Sequence, residues 1–195
     1  MDPANALTLS RLFATPFVIW LMYGQSASTR YGALILFVAA MLTDVFDGPL
    51  ARRRGETVLG NYLDPVADKT LILCIFVTLA ERGLLPLWMG LVLIGRELVV
   101  SAARDVAAVH GAVVGANWMG KTKTFLQVVT ISFALFLLAR ADTVPPPDAF
   151  YVSAAYRLLW ALGCATTALA VAFALIFFWW NRGFLRKRLD DEHRR

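Results

Sequence analysis

Charge is scarce in this chain, and cysteine and histidine are scarcer. Only 17% of its 195 residues are Asp, Glu, Lys or Arg, against 58% hydrophobic residues and a mean hydropathy of +0.61. That balance excludes an ordinary soluble domain and favours a membrane protein. The two cysteines, Cys74 and Cys164, each fall within an apolar run, so a disulfide framework or zinc site is not expected and both read as small buried hydrophobes. The two histidines, His110 and His193, stand in a glycine-containing link and in the terminal tail, and suggest no catalyst. Residues 1–10 lack a basic n-region and no small-residue cleavage site follows the first apolar run, so no removable signal peptide is expected. Internal repeats and low-complexity tracts are absent from the sequence. The formal net charge of +5 does not indicate nucleic acid, because the basic residues collect between and after apolar runs. Anionic lipid headgroups and phosphorylated substrates suit that placement better.

What the chain does have is apolar length. Six apolar segments run over residues 12–23, 31–42, 70–80, 84–94, 125–138 and 158–180. Several fall short of the roughly 20 residues that cross a bilayer. The second and fourth continue as helix-compatible sequence into polar residues 43–54 and 95–109, and the third begins with a polar turn at residues 64–69. The expectation is therefore six full-length helices whose inner ends are polar and face one another rather than lipid. Placing the N-terminus in the cytoplasm puts 15 of the 19 Lys and Arg residues on the cytoplasmic side, leaving only Arg30, Arg82, Arg140 and Arg157 outside. The positive-inside rule is satisfied by six spans with both ends cytoplasmic, and an odd number would break it. Residues 24–30 and 81–83 read as short outer connections, and residues 142–148, with Pro145, Pro146 and Pro147, as an extended turn. Residues 109–120 read as a flexible inner link, and residues 181–195 as a charged tail lying along headgroups or disordered. Residues 2–11 can form a short N-terminal interfacial helix. The organisation expected is a single all-α integral membrane domain over residues 1–180, with a basic cytoplasmic tail over 181–195.

Against that apolar background stand four aspartates. Asp44 and Asp47 are spaced i,i+3, and Asp64 and Asp68 i,i+4, so each pair shares a helix face. Carboxylates near hydrocarbon are costly and repel each other at this spacing. Bound divalent cations resolve the conflict, because hard ions such as magnesium favour carboxylate oxygen. The topology puts both pairs at cytoplasmic helix ends, and a loop carrying Gly48, Gly55 and Gly60 lets the ends fold back around one polar cavity. Two pairs suit two metal ions that stabilise attacking and leaving oxygens in phosphoryl displacement. Gly48 permits close backbone approach to a ligand, and Arg52 is placed to contact a phosphate or nucleotide.

These residues match a pattern. Asp44-x-x-Asp47-Gly48-x-x-Ala51-Arg52, a spacer, then Gly60-x-x-x-Asp64-x-x-x-Asp68 resembles the signature of the CDP-alcohol phosphotransferases, membrane enzymes of phospholipid synthesis. Every fixed position is present, and eight defined positions at these spacings make a specific match. The spacer between Arg52 and Gly60 is seven residues, where eight is the commoner length. The loop is therefore expected to be one residue tighter, and the family's contacts are not carried over to residues 53–59 by position alone, while the aspartates are unaffected. Asn5, Thr8 and Arg11 before the first segment, Leu63 to Lys69, Gly95-Arg96-Glu97, and Gly120-Lys121-Thr122-Lys123-Thr124 with Gln127 are similar to the phosphatidylglycerophosphate synthases within that family. The resemblance implies transfer of a phosphatidyl group from CDP-diacylglycerol to glycerol 3-phosphate with release of CMP, at the cytoplasmic face of the cell membrane. It also implies two divalent cations, magnesium or manganese, held by Asp44, Asp47, Asp64 and Asp68, with Asp68 as general base. Gly48, Ala51, Arg52 and Thr57 would contact CDP, and the assembly would be a homodimer. The acceptor's own phosphate needs a second cationic site, which Arg96, Arg104, Lys121 and Lys123 can supply.

Plainer readings stand beside these. Arg53 and Arg54 are topology anchors, and Lys121 and Lys123 could be anchors too. Arg96 with Glu97 reads equally as a structural ion pair, and Arg104 as a surface charge. Trp88, Trp118, Trp160, Trp179 and Trp180 suit interfacial belts. Two other functions compete: a sister transferase with another acceptor, such as inositol phosphate or phosphatidylglycerol, and a cation transporter. A transporter would carry acidic residues near mid-span, whereas these cluster at one end beside basic residues.

Overall fold

The computed structural model describes residues 3–51, 58–109, 117–140 and 153–192, with side chains over residues 10–43, 69–105, 120–140 and 153–181. All regular structure among them is helical: α1 (Pro3–Met22), α2 (Ala27–Ala51), α3 (Val58–Glu81), α4 (Leu87–Val109), α5 (Asn117–Arg140) and α6 (Ala154–Glu192). Their ends follow from local chemistry. Ser26 caps α2, its Oγ accepting the Thr29 backbone N–H at 3.2 Å. Gly83, at φ 74°, ends α3: its N–H reaches Ala80 O and the Leu84 N–H reaches Leu79 O. That pair of bonds is a Schellman motif, closed by the buried Leu79 and Leu84 side chains.

Packing builds two four-helix rings that share an edge. One ring is α1, α2, α5 and α3, and the other is α3, α4, α6 and α5. The shared helices α3 and α5 therefore carry the core. On α3, Leu71, Ile75 and Leu79 are fully buried, as are Ile131, Leu135 and Leu138 on α5. At one end, Arg30 ties α2 to α5, its Nε donating to Gly24 O at 2.9 Å and Nη1 to Leu138 O at 3.3 Å. Tyr23 donates to Glu81 Oε2 at 2.6 Å at that same end.

Among the described residues, large apolar side chains are exposed in stripes. Phe13, Phe17 and Trp20, one stripe of α1, are each more than half exposed, as are Leu91, Leu98 and Val99 on α4 and Leu175 on α6. Trp20, Trp88 and Trp160 are exposed on one half of the molecule, Trp179 and Trp180 on the other. Among the described residues, two helical stretches, Gly120–Arg140 and Ala154–Asn181, are long and apolar enough to cross a membrane, and Ser10–Met22 and Ala27–Thr43 are shorter apolar stretches.

Several boundaries differ from expectation. The N-terminal segment is not a separate interfacial helix but the first turns of α1, with Pro3 at its opening position, where a missing N–H costs nothing. Helix α2 runs on through Gly48 and Pro49, and α3 already includes Gly60. Interior glycine costs a helix about 1 kcal/mol and interior proline about 3 kcal/mol, so the continuation past Gly48 and Pro49 depends on the packing of α2 on α1 and α5. The tail is helical to Glu192, and residues 117–120 belong to α5 rather than to a link. The triple-proline segment, Arg53 and Arg54 lie outside the described residues.

Candidate active site

Antiparallel progression brings the C-terminal end of α2 and the N-terminal end of α3 to one end of the bundle, joined by residues 52–57. Asp44 and Asp47 lie on the last two turns of α2, and Asp64 and Asp68 on the second and third turns of α3. These are backbone placements, and the aspartate side chains lie outside the described residues. Gly48 and Ala51 on α2 are likewise placed by backbone alone, while Arg52 and Thr57 fall outside the described residues altogether. Helices α2 and α3 both pack on α1 and on α5, so their ends flank the first ring. The donor set is entirely carboxylate oxygen, which fits a hard divalent cation such as magnesium or manganese.

Beside that acidic segment lies a basic cavity of about 180 Å³. Three helices line it with one stripe each: Lys69, Ile72 and Leu73 from α3, Arg96, Glu97 and Arg104 from α4, and Gly120, Lys123, Thr124 and Gln127 from α5. The spacings are i, i+3, i+4 on α3, i, i+1, i+8 on α4 and i, i+3, i+4, i+7 on α5, and each set stays on one face of its helix. Lys69 directly follows Asp68, so the cavity begins one residue beyond the acidic segment. Lys123 and Gln127 are both buried, and the same face of α5 continues to Thr130, whose hydroxyl hydrogen-bonds that of Thr166 at 2.8 Å.

Glu97 is the hub of the cavity. Its Oε2 accepts from Lys123 Nζ at 2.5 Å and from Arg96 Nη1 at 2.8 Å, and its Oε1 lies 3.5 Å from Lys69 Nζ. Arg96 also donates from Nε to Ala170 O at 3.0 Å, fastening α4 to α6. Lys69 donates to Ser101 Oγ at 2.6 Å. Arg104 is exposed, its guanidinium carbon 5.6 Å from the centre of the Phe177 ring.

Three of the four basic residues expected to meet an acceptor phosphate, Arg96, Arg104 and Lys123, therefore line one cavity, and Lys121 is exposed and outside it. Arg96 is also the ion-pair partner that the plainer reading foresaw. Sequence reasoning placed Lys69 only as part of a motif and gave Ser101 no part. Their signal was spacing: Glu97 and Ser101 stand one helical turn apart, facing the turn of α3 that holds Lys69.

The sequence matches the CDP-alcohol phosphatidyltransferase family over residues 1–180. It is 43% identical over 139 residues to the "Probable phosphatidylglycerophosphate synthase" of Mycobacterium tuberculosis H37Rv, covering 69% of this chain and 65% of that relative. It is 43% identical over 144 residues to the "CDP-diacylglycerol--glycerol-3-phosphate 3-phosphatidyltransferase" of Bacillus subtilis (67% and 75% coverage), and 37% identical over 136 residues to the protein so named in Escherichia coli (67% and 74%). The match thus spans just under two thirds of the length of the mycobacterial relative.

Proposed function

The chain belongs to the CDP-alcohol phosphatidyltransferase family, and from that premise we propose that it transfers the phosphatidyl group of CDP-diacylglycerol to glycerol 3-phosphate. The products are phosphatidylglycerophosphate and CMP. The names of the bacterial relatives support this acceptor. The observation that carries the reading is the basic cavity walled by Lys69, Arg104 and Lys123 one residue beyond the acidic segment. An acceptor with its own phosphate needs a cationic site of that kind, apart from the one that holds CDP.

In this reading Asp44, Asp47, Asp64 and Asp68 would hold two divalent cations, which when bound stabilise charge on the attacking and leaving oxygens. Gly48, Ala51, Arg52 and Thr57 contact the CDP moiety. Arg104 and Lys123 take the acceptor phosphate, and Lys121 acts as a charge anchor at the headgroups. Asp68 accepts the proton of the acceptor hydroxyl. The hydroxyl oxygen bonds to the phosphorus bearing diacylglycerol, the bond from that phosphorus to the bridging oxygen breaks, and CMP departs with the electron pair.

The donor's acyl chains stay in the bilayer, so the site opens laterally to lipid and inward to the cytoplasm. All six helices cross the cell membrane with both termini cytoplasmic, residues 1–180 forming one catalytic domain and 181–195 a tail. The exposed apolar stripes support this, since soluble monomers rarely present such faces to water and large apolar faces mark membrane or protein contact. The short apolar stretches of α1 and α2 are consistent with inner ends that face the site. Homodimeric assembly rests on the family resemblance.

The test is CMP release by purified protein given CDP-diacylglycerol and a panel of alcohols, with and without a chelator. Release is expected only with glycerol 3-phosphate and a divalent ion. Release with inositol phosphate or phosphatidylglycerol instead would make the chain a sister transferase, and metal flux into proteoliposomes without CMP release would make it a transporter.

A further inference from the structure

Glu97 is a single carboxylate gathered into three cations from three helices. It shares one oxygen between Lys123 and Arg96 and holds Lys69 with the other. Only 12% of its side chain is exposed. Burying a carboxylate is costly unless it is paired, and removing it would leave three like charges uncompensated. Arg96 would stay put, because Ala170 O also holds it. Lys123 would not, since an ammonium on a flexible four-carbon stem swings toward water when its partner is lost, and Lys69 would be left with Ser101 as its anchor among the described residues.

We propose that Glu97 is a positioning residue of the acceptor pocket: with Ser101 it holds Lys69 and Lys123 at the spacing in which they receive a phosphate monoester. This rests on the reading of the cavity as the acceptor site. Three cations less one carboxylate leave two positive charges, the charge that a phosphate monoester dianion cancels. Because the lysines are ordered before the ligand arrives, less side-chain entropy is lost on binding. Arg104, outside the cluster and with no ion pair among the described residues, closes on the phosphate from the α6 side.

The experiment uses the full chain in detergent micelles and follows CMP release, varying each substrate at saturation of the other. Glu97→Gln is expected to raise the KM for glycerol 3-phosphate by about tenfold while kcat and the KM for CDP-diacylglycerol move by less than about twofold. Glu97→Asp falls between wild type and Gln. Ser101→Ala, which removes one of the two anchors of Lys69 and leaves the carboxylate in place, raises the acceptor KM by about two- to threefold. If Glu97→Gln does not fold, the Asp and Ser101 variants decide. An unchanged acceptor KM overturns the proposal, as does a parallel loss in kcat and both KM values, which is the mark of a purely structural carboxylate. Wild-type inactivity with every phosphorylated alcohol would instead sink the acceptor-site reading, a result visible before any variant is made.

Discussion

Arg96 and Arg104 lie on one helix, line one cavity and carry the same charge, yet their surroundings separate their roles. Arg96 is bonded to Glu97 and to the Ala170 carbonyl with 9% of its side chain exposed, whereas Arg104 is exposed and stacked on Phe177. Arg104→Ala should therefore raise the acceptor KM by about tenfold with little change for the lipid donor. Arg96→Ala should lower the thermal midpoint in detergent as well, because it unfastens α4 from α6 and leaves Glu97 short of a partner. Equal stability of the two variants would refute that division. Asp68→Asn should cut kcat by at least about a hundredfold, the usual worth of a general base, while CDP-diacylglycerol still binds. Substantial residual turnover would remove Asp68 from that role. The aspartates were proposed from the sequence because their spacing is itself the signal, and the backbone puts both pairs at one end of the bundle. The division between the arginines was not, because Ala170 and Phe177 lie more than seventy residues along the chain.

At the scale of helices, close approach decides what can be changed. A Cβ on Gly163 would lie 2.9 Å from Met89 Sδ and 3.0 Å from Leu85 Cδ2, so α6 meets the start of α4 with no room to spare. Gly163→Leu should cost about 1–3 kcal/mol by overpacking, read as a lower unfolding midpoint with the acceptor KM unchanged. A midpoint equal to wild type would mean that this contact yields. Helix existence was readable from the six apolar segments, and the turn at Gly83 fell where a short connection was expected. Helix ends were less readable: the continuation of the second segment past residue 43 was legible as helix, but Gly48 and Gly60 read as loop and 181–192 as tail, and all are helical.

For the whole molecule the distinguishing property, among the described residues, is exposed apolar stripes combined with a charged cavity, the reverse of the pattern of a soluble protein. With Cys74 and Cys164 replaced by serine, Ser28→Cys should react with an impermeant thiol reagent only from outside cells, and Lys121→Cys only after the cytoplasmic face is exposed. Both positions are exposed in the structure, at opposite ends of the bundle. Labelling of both from one side would reject the proposed topology.

The sequence by itself determined the helical class, the family and the acidic segment, because each depends on periodicity or on residues close together along the chain. Only the tertiary structure decided which cations share a cavity, which of them is a strut, and that Glu97 binds them together. Those facts depend on α3, α4 and α5 presenting one stripe each to a common space, and no local pattern records the rotation of one helix against another.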